Sequence, residues 1–70
     1  MNFEVECERG DDGRWLAEVP QLPGVLAYGD SENDAMAKAQ VLALRVLAER
    51  LENDETGPQA ITFSIAEEAA

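Results

Sequence analysis

Carboxylates dominate the reactive side chains of this 70-residue chain: fifteen acids stand against five basic residues, with no histidine. Asp11, Asp12, Asp30 and Asp34 are the acids nearest to predicted strand and helix ends, where a metal-dependent nuclease would gather its ligands. Two-metal chemistry needs such groups to converge within a few ångströms. Asp11 and Asp12 instead share the turn "RGDDG", and Asp30 and Asp34 flank a helix-start signal that uses acids for capping. "RGDDG" lacks the lysine and spacing of a phosphate-binding loop, and "DDG" lacks the later ligands of a calcium loop. Without histidine the usual base at neutral pH is missing. The single lysine, Lys38, falls in mid-helix. The single thiol, Cys7, lies on the apolar side of an alternating segment, as a small core residue does. The expectation is a binding protein and not an enzyme, with no catalytic residue, no cofactor and no metal site.

The charge points the same way. A formal net of −10 repels phosphate backbones and anionic membranes, so neither direct nucleic-acid binding nor membrane binding is expected. It attracts a basic protein; it also simply keeps a small protein soluble. A core this small rarely supplies more than ~3–5 kcal/mol, and a lone cysteine provides no internal disulfide. Association with itself, as a homodimer or tetramer, or with a partner is the remaining device. The lone cysteine, and an N-terminus that reads as a strand, lead to the expectation of a cytoplasmic protein.

Residues 2–8 alternate, with Phe3, Val5 and Cys7 on one face and Glu4, Glu6 and Glu8 on the other. Residues 14–19 alternate again, with Trp15, Ala17 and Val19 on the apolar side. The two form a hairpin, for which we expect Glu8 opposite Arg14, Cys7 opposite Trp15, Val5 opposite Ala17 and Phe3 opposite Val19. Next comes "PQLPG", whose two prolines fix two φ angles and remove two backbone donors, so the chain is stiffly redirected. Residues 25–28 suit a short third strand.

Ser31 is the expected helix N-cap, with Asp34 imitating the acid of a capping box. From there to about Asn53 there is neither glycine nor proline; Asn53 or Gly57 can end the helix. Ala35, Ala39, Leu42, Ala43, Val46 and Leu47, with Met36 beside them, form the face for the sheet. Ala37, Val41, Leu44, Ala48 and Leu51 follow heptad spacing on a second side. That stripe is either a contact seam, carried by Val41, Leu44 and Leu51, or a set of neutral fillers with Leu51 closing the core. Residues 61–66 alternate as a fourth strand, and "EEAA" is a short tail.

The expected fold is α+β in the order β-β-β-α-β: a three-stranded antiparallel meander, one covering helix, and a fourth strand parallel to strand one. The right-handed crossover rule places the sheet order at 3-2-1-4. The far face, with Glu4, Glu6, Glu8, Arg14, Leu16 and Glu18, stays open.

With these residues placed, the chain resembles the HicB-type antitoxins of bacterial toxin–antitoxin pairs. The likeness lies in "DDGRWLAEVPQLPGVLAYGDSENDAMAKAQ", residues 11–40, and continues through the helix and last strand. It implies a truncated ribonuclease-H-like fold; many antitoxins of this kind add a C-terminal DNA-binding helix-turn-helix or ribbon-helix-helix, and the expectation here departs from that pattern, a single domain over residues 1–70 with no such module. It also implies a non-enzymatic role: masking the RNA-binding surface of a basic HicA-like toxin that cleaves mRNA. The alternative is an orphan homo-oligomeric domain of the same fold that binds another protein or a ligand. The candidate partner-binding residues are Pro20, Leu22, Pro23, Gly24, Tyr28, Asp30 and Glu32, chosen for their stiff, acidic and exposed character.

Overall fold

The computed structural model describes residues 1–54 and 57–66; the expected tail, 67–70, lies outside the described residues. Four strands and one helix follow in the order β1 (Asn2–Arg9), β2 (Trp15–Glu18), β3 (Leu26–Gly29), α1 (Glu32–Asp54) and β4 (Thr62–Ala66). The sheet order is β3-β2-β1-β4, with β1 antiparallel to β2, β2 antiparallel to β3, and β1 parallel to β4. This is the expected α+β arrangement, and the crossover through α1 supplies the parallel pair.

The hairpin register differs from the expected one. Cys7 stands opposite Ala17, Glu8 opposite Leu16, Arg9 opposite Trp15 and Glu6 opposite Glu18. The slip is two residues, so every side chain keeps its face while every pair changes. The cause lies in the turn. Gly10 donates to Arg14 O at 2.7 Å, and Gly13, at φ 83°, donates back to Gly10 O at 3.2 Å. A looser turn closes here than the Glu8–Arg14 pairing requires.

One core fills the space between the helix and one sheet face. Phe3, Val5, Cys7, Ala17, Val19, Leu22 and Val25 come from the sheet and its connections; Ala35, Ala39, Ala43 and Leu47 come from α1. The alanines bring the helix close, and Met36, Leu42 and Val46 pack beside them. Trp15, expected inside, is half-buried against this core. Among the described residues the helix makes its contacts with β3, β2 and β1. Phe63 still meets Phe3 at 5.8 Å between ring centroids, whereas Ile65 stays exposed.

The corner between β2 and β3 consists of two successive turns. Leu22 donates to Val19 O at 2.9 Å and Val25 donates to Leu22 O at 3.1 Å. Each proline holds the second position of its turn, and Gly24, at φ 86°, takes the third position of the latter, the type II arrangement. Every third residue therefore returns inward: Val19, Leu22 and Val25 are all buried. The Val19 amide closes the unit on Val25 O at 3.0 Å.

Candidate functional site

The open face of the sheet follows from strand alternation. Residues 3, 5, 7 and 17 are buried beneath the helix, so Glu4, Glu6, Glu8, Leu16, Glu18, Leu26 and Tyr28 project from the other side. The register arranges them in two rows. One reads Glu8, Leu16, Tyr28; the other reads Glu6, Glu18, Leu26. Carboxylates thus occupy the β1 half, and a leucine–tyrosine–leucine patch occupies the β3 half. Leu26 is 45% exposed and Tyr28 is 52% exposed. The Arg14 guanidinium lies 5.3 Å from the centre of the Tyr28 ring, a cation–π contact.

None of Glu4, Glu6, Glu8 and Glu18 forms an ion pair among the described residues. Glu6 and Glu18 stand directly opposite each other, an arrangement that costs stability between like charges. A strip of uncompensated negative charge beside exposed apolar side chains can receive a cationic surface that carries some apolar area of its own.

The expected site residues do not form one patch. Pro20, Pro23 and Gly24 are exposed at the corner, but Leu22 is 1% exposed and belongs to the core. Asp30 and Glu32 stand at the start of α1, beyond the other end of β3. At about 3.3 Å per extended residue, the corner and Asp30 are roughly 20 Å apart. Tyr28 alone joins the open face. Leu26 is the surface residue the sequence reading left out. Its signal was the alternation of β3 about Ala27, visible once the strand starts at Leu26 and not at Val25.

The helix start is a structural device. Ser31 Oγ accepts from the Asp34 amide at 3.1 Å, and the Asp34 carboxylate accepts from the Asp30 amide at 3.2 Å. Lys38 Nζ adds an ion pair with Asp34 at 3.1 Å. The hydrogen bond from Lys38, followed by that from the Asp30 amide, holds the Asp34 carboxyl below its ordinary 3.8. Gly29 is tied to this cap by space: a Cβ there would lie 2.5 Å from the Ala35 nitrogen. Asp34 is therefore committed to capping. Among the described residues, no group of three or more carboxylates or thiols is gathered as metal ligands would be.

The expected seam on α1 divides. Val41 and Leu44 are exposed at 46% and 47%, while Leu51 is half-buried. Val41 also lines a shallow apolar groove of roughly 390 Å³ with Ala27, Ala37, Lys38 and Leu42, where the helix overhangs β3. No described helix is long and apolar enough to cross a membrane. Comparison with family models, curated proteins and solved structures returns no match to this chain.

Proposed function

We propose that the chain is an antitoxin-type binding protein that covers the RNA-binding surface of a small basic RNA-cleaving toxin of the HicA kind. The observation that carries this reading is the open sheet face, where four glutamates without ionic partners adjoin exposed Leu26 and Tyr28. A surface made to hold RNA presents lysines and arginines, and such a surface complements the β1 glutamates. The apolar patch supplies the desolvated centre that a purely ionic contact lacks. The resemblance of residues 11–40 to HicB-type antitoxins supports the same assignment. On this reading the chain binds and performs no reaction.

The test is co-expression of the chain with the basic protein encoded beside it, followed by purification and an RNA-cleavage assay. The expected result is a stable complex in which cleavage stops at equal molar ratio. Undiminished cleavage with excess chain present refutes the proposal.

A further inference from the structure

The basic residues of this acidic chain are unevenly placed. Lys38, Arg45 and Arg50 lie on α1, and Arg9 shares the side of Cys7 on β1. Arg14 alone belongs to the open face: Trp15 after it turns toward the core, and its guanidinium sits over the exposed Tyr28 ring at 5.3 Å. The turn fixes its main chain on both sides. The Arg14 amide donates to Asp12 Oδ1 at 3.1 Å, and the Arg14 carbonyl accepts from the Gly10 amide at 2.7 Å.

The guanidinium forms no ion pair and donates no hydrogen bond to any described residue. Asp12 is nearby, but its Oδ1 accepts from the Arg14 amide. Asp30 would stand opposite Arg14 if the β2–β3 register ran one residue further, yet it does not pair with it. A contact with a ring uses the positive charge and leaves the planar fork of N–H donors to be matched by acceptors. Arg14 is thus a cation held in position, beside Leu16, Leu26 and Tyr28, with its hydrogen-bonding edge unspent.

A basic surface laid on this face is drawn to Glu4, Glu6, Glu8 and Glu18 and repelled by Arg14. β3 and β1 are two strand spacings apart, about 10 Å, only a little over the ~8 Å screening length at physiological salt. Covering Arg14 with a uniformly basic surface would also desolvate it without a partner, which is costly. An arginine fork matches a carboxylate in a two-point, charge-assisted contact. Resting on the antitoxin reading above, we infer that Arg14 determines the specificity of the open face by pairing with a carboxylate on the toxin, while the β1 glutamates take its basic residues. The face therefore selects a pattern, cations with an acid about 10 Å to one side, and rejects a protein that is merely basic.

Calorimetric titration of the basic protein encoded beside this chain into the wild type, Arg14→Gln and Arg14→Glu tests the pairing by its sign. General attraction to a basic partner predicts that each change tightens binding, because each makes the chain more negative. The inference predicts the opposite order: Arg14→Gln binds about tenfold more weakly than wild type, and Arg14→Glu more weakly still. Arg14 is exposed, so Trp15 emission and circular dichroism are expected to stay native in both variants. Arg14→Glu against wild type decides the matter should Arg14→Gln not fold. A wild type that binds, with a folded Arg14→Gln or Arg14→Glu chain that binds as tightly or more tightly, overturns this inference and leaves the antitoxin reading standing. A wild type that does not bind refutes that reading, and this inference falls with it.

Discussion

Leu22→Ala measures what the proline-rich corner does. The side chain is 1% exposed and enters the core between Val19 and Val25. Truncating a fully buried leucine costs about 3 kcal/mol, the sum of lost transfer energy and the cavity left behind. Repacking offers little relief, because two hydrogen-bonded turns and two prolines hold the corner in place. A domain of this size has only ~3–5 kcal/mol to lose. The variant is therefore expected to stand at the edge of unfolding at room temperature. Urea titration followed by Trp15 emission and circular dichroism reads the effect, both proteins being held at one concentration because association would shift the midpoint. At ~1 kcal/mol per molar urea, the midpoint falls by about 3 M, or the folded baseline disappears. Pro23→Ala, at an exposed position in the same corner, is the control and is expected to cost under ~1 kcal/mol, through the unfolded chain. A loss below ~1 kcal/mol for Leu22→Ala would refute the view that the corner is a core plug.

Gly29→Ala forces a methyl to within 2.5 Å of the Ala35 nitrogen and is expected to destabilise by ~1–3 kcal/mol in the same titration. Asp34→Asn probes the cap by pH. The folded carboxyl titrates below its ordinary 3.8, so its contribution is complete above that value and is lost as pH falls through the folded one. The variant is expected to melt lower at neutral pH, with the two melting curves converging in acid. Glu6→Gln removes the repulsion across the Glu6–Glu18 pair and is expected to raise stability by roughly 0.2–1 kcal/mol, more at low salt.

Alternation made the sheet legible. Phe3, Val5 and Cys7 against Glu4, Glu6 and Glu8 define β1 and its two faces, and the long run free of glycine and proline defines α1. The crossover rule then orders the strands. The register escaped because a slip of two residues conserves every face, leaving only the geometry between Gly10 and Arg14 to decide it. Leu22 escaped because the corner looked like a rigid surface. The spacing of three through Val19, Leu22 and Val25, with a proline after each of the first two, was the available sign of paired turns that return these side chains inward. Of the site, the β1 glutamates and Leu16 were legible as an open face. The division into an acidic and an apolar half was not, since it depends on the observed pairing of Leu16 with Tyr28 and of Glu18 with Leu26. The Arg14–Tyr28 contact is likewise a product of that register.

Calorimetric titration of a HicA-like toxin into this chain, alongside the variant carrying Glu4→Gln, Glu6→Gln and Glu18→Gln together, addresses the central claim most directly. At ~0.5 kcal/mol for each interfacial charge, the triple change is expected to weaken binding about tenfold. Raising the salt should weaken the wild type more than the variant. No measurable binding by the wild type, or equal affinity for both proteins at every salt concentration, would contradict the claim that the glutamate face meets a basic protein.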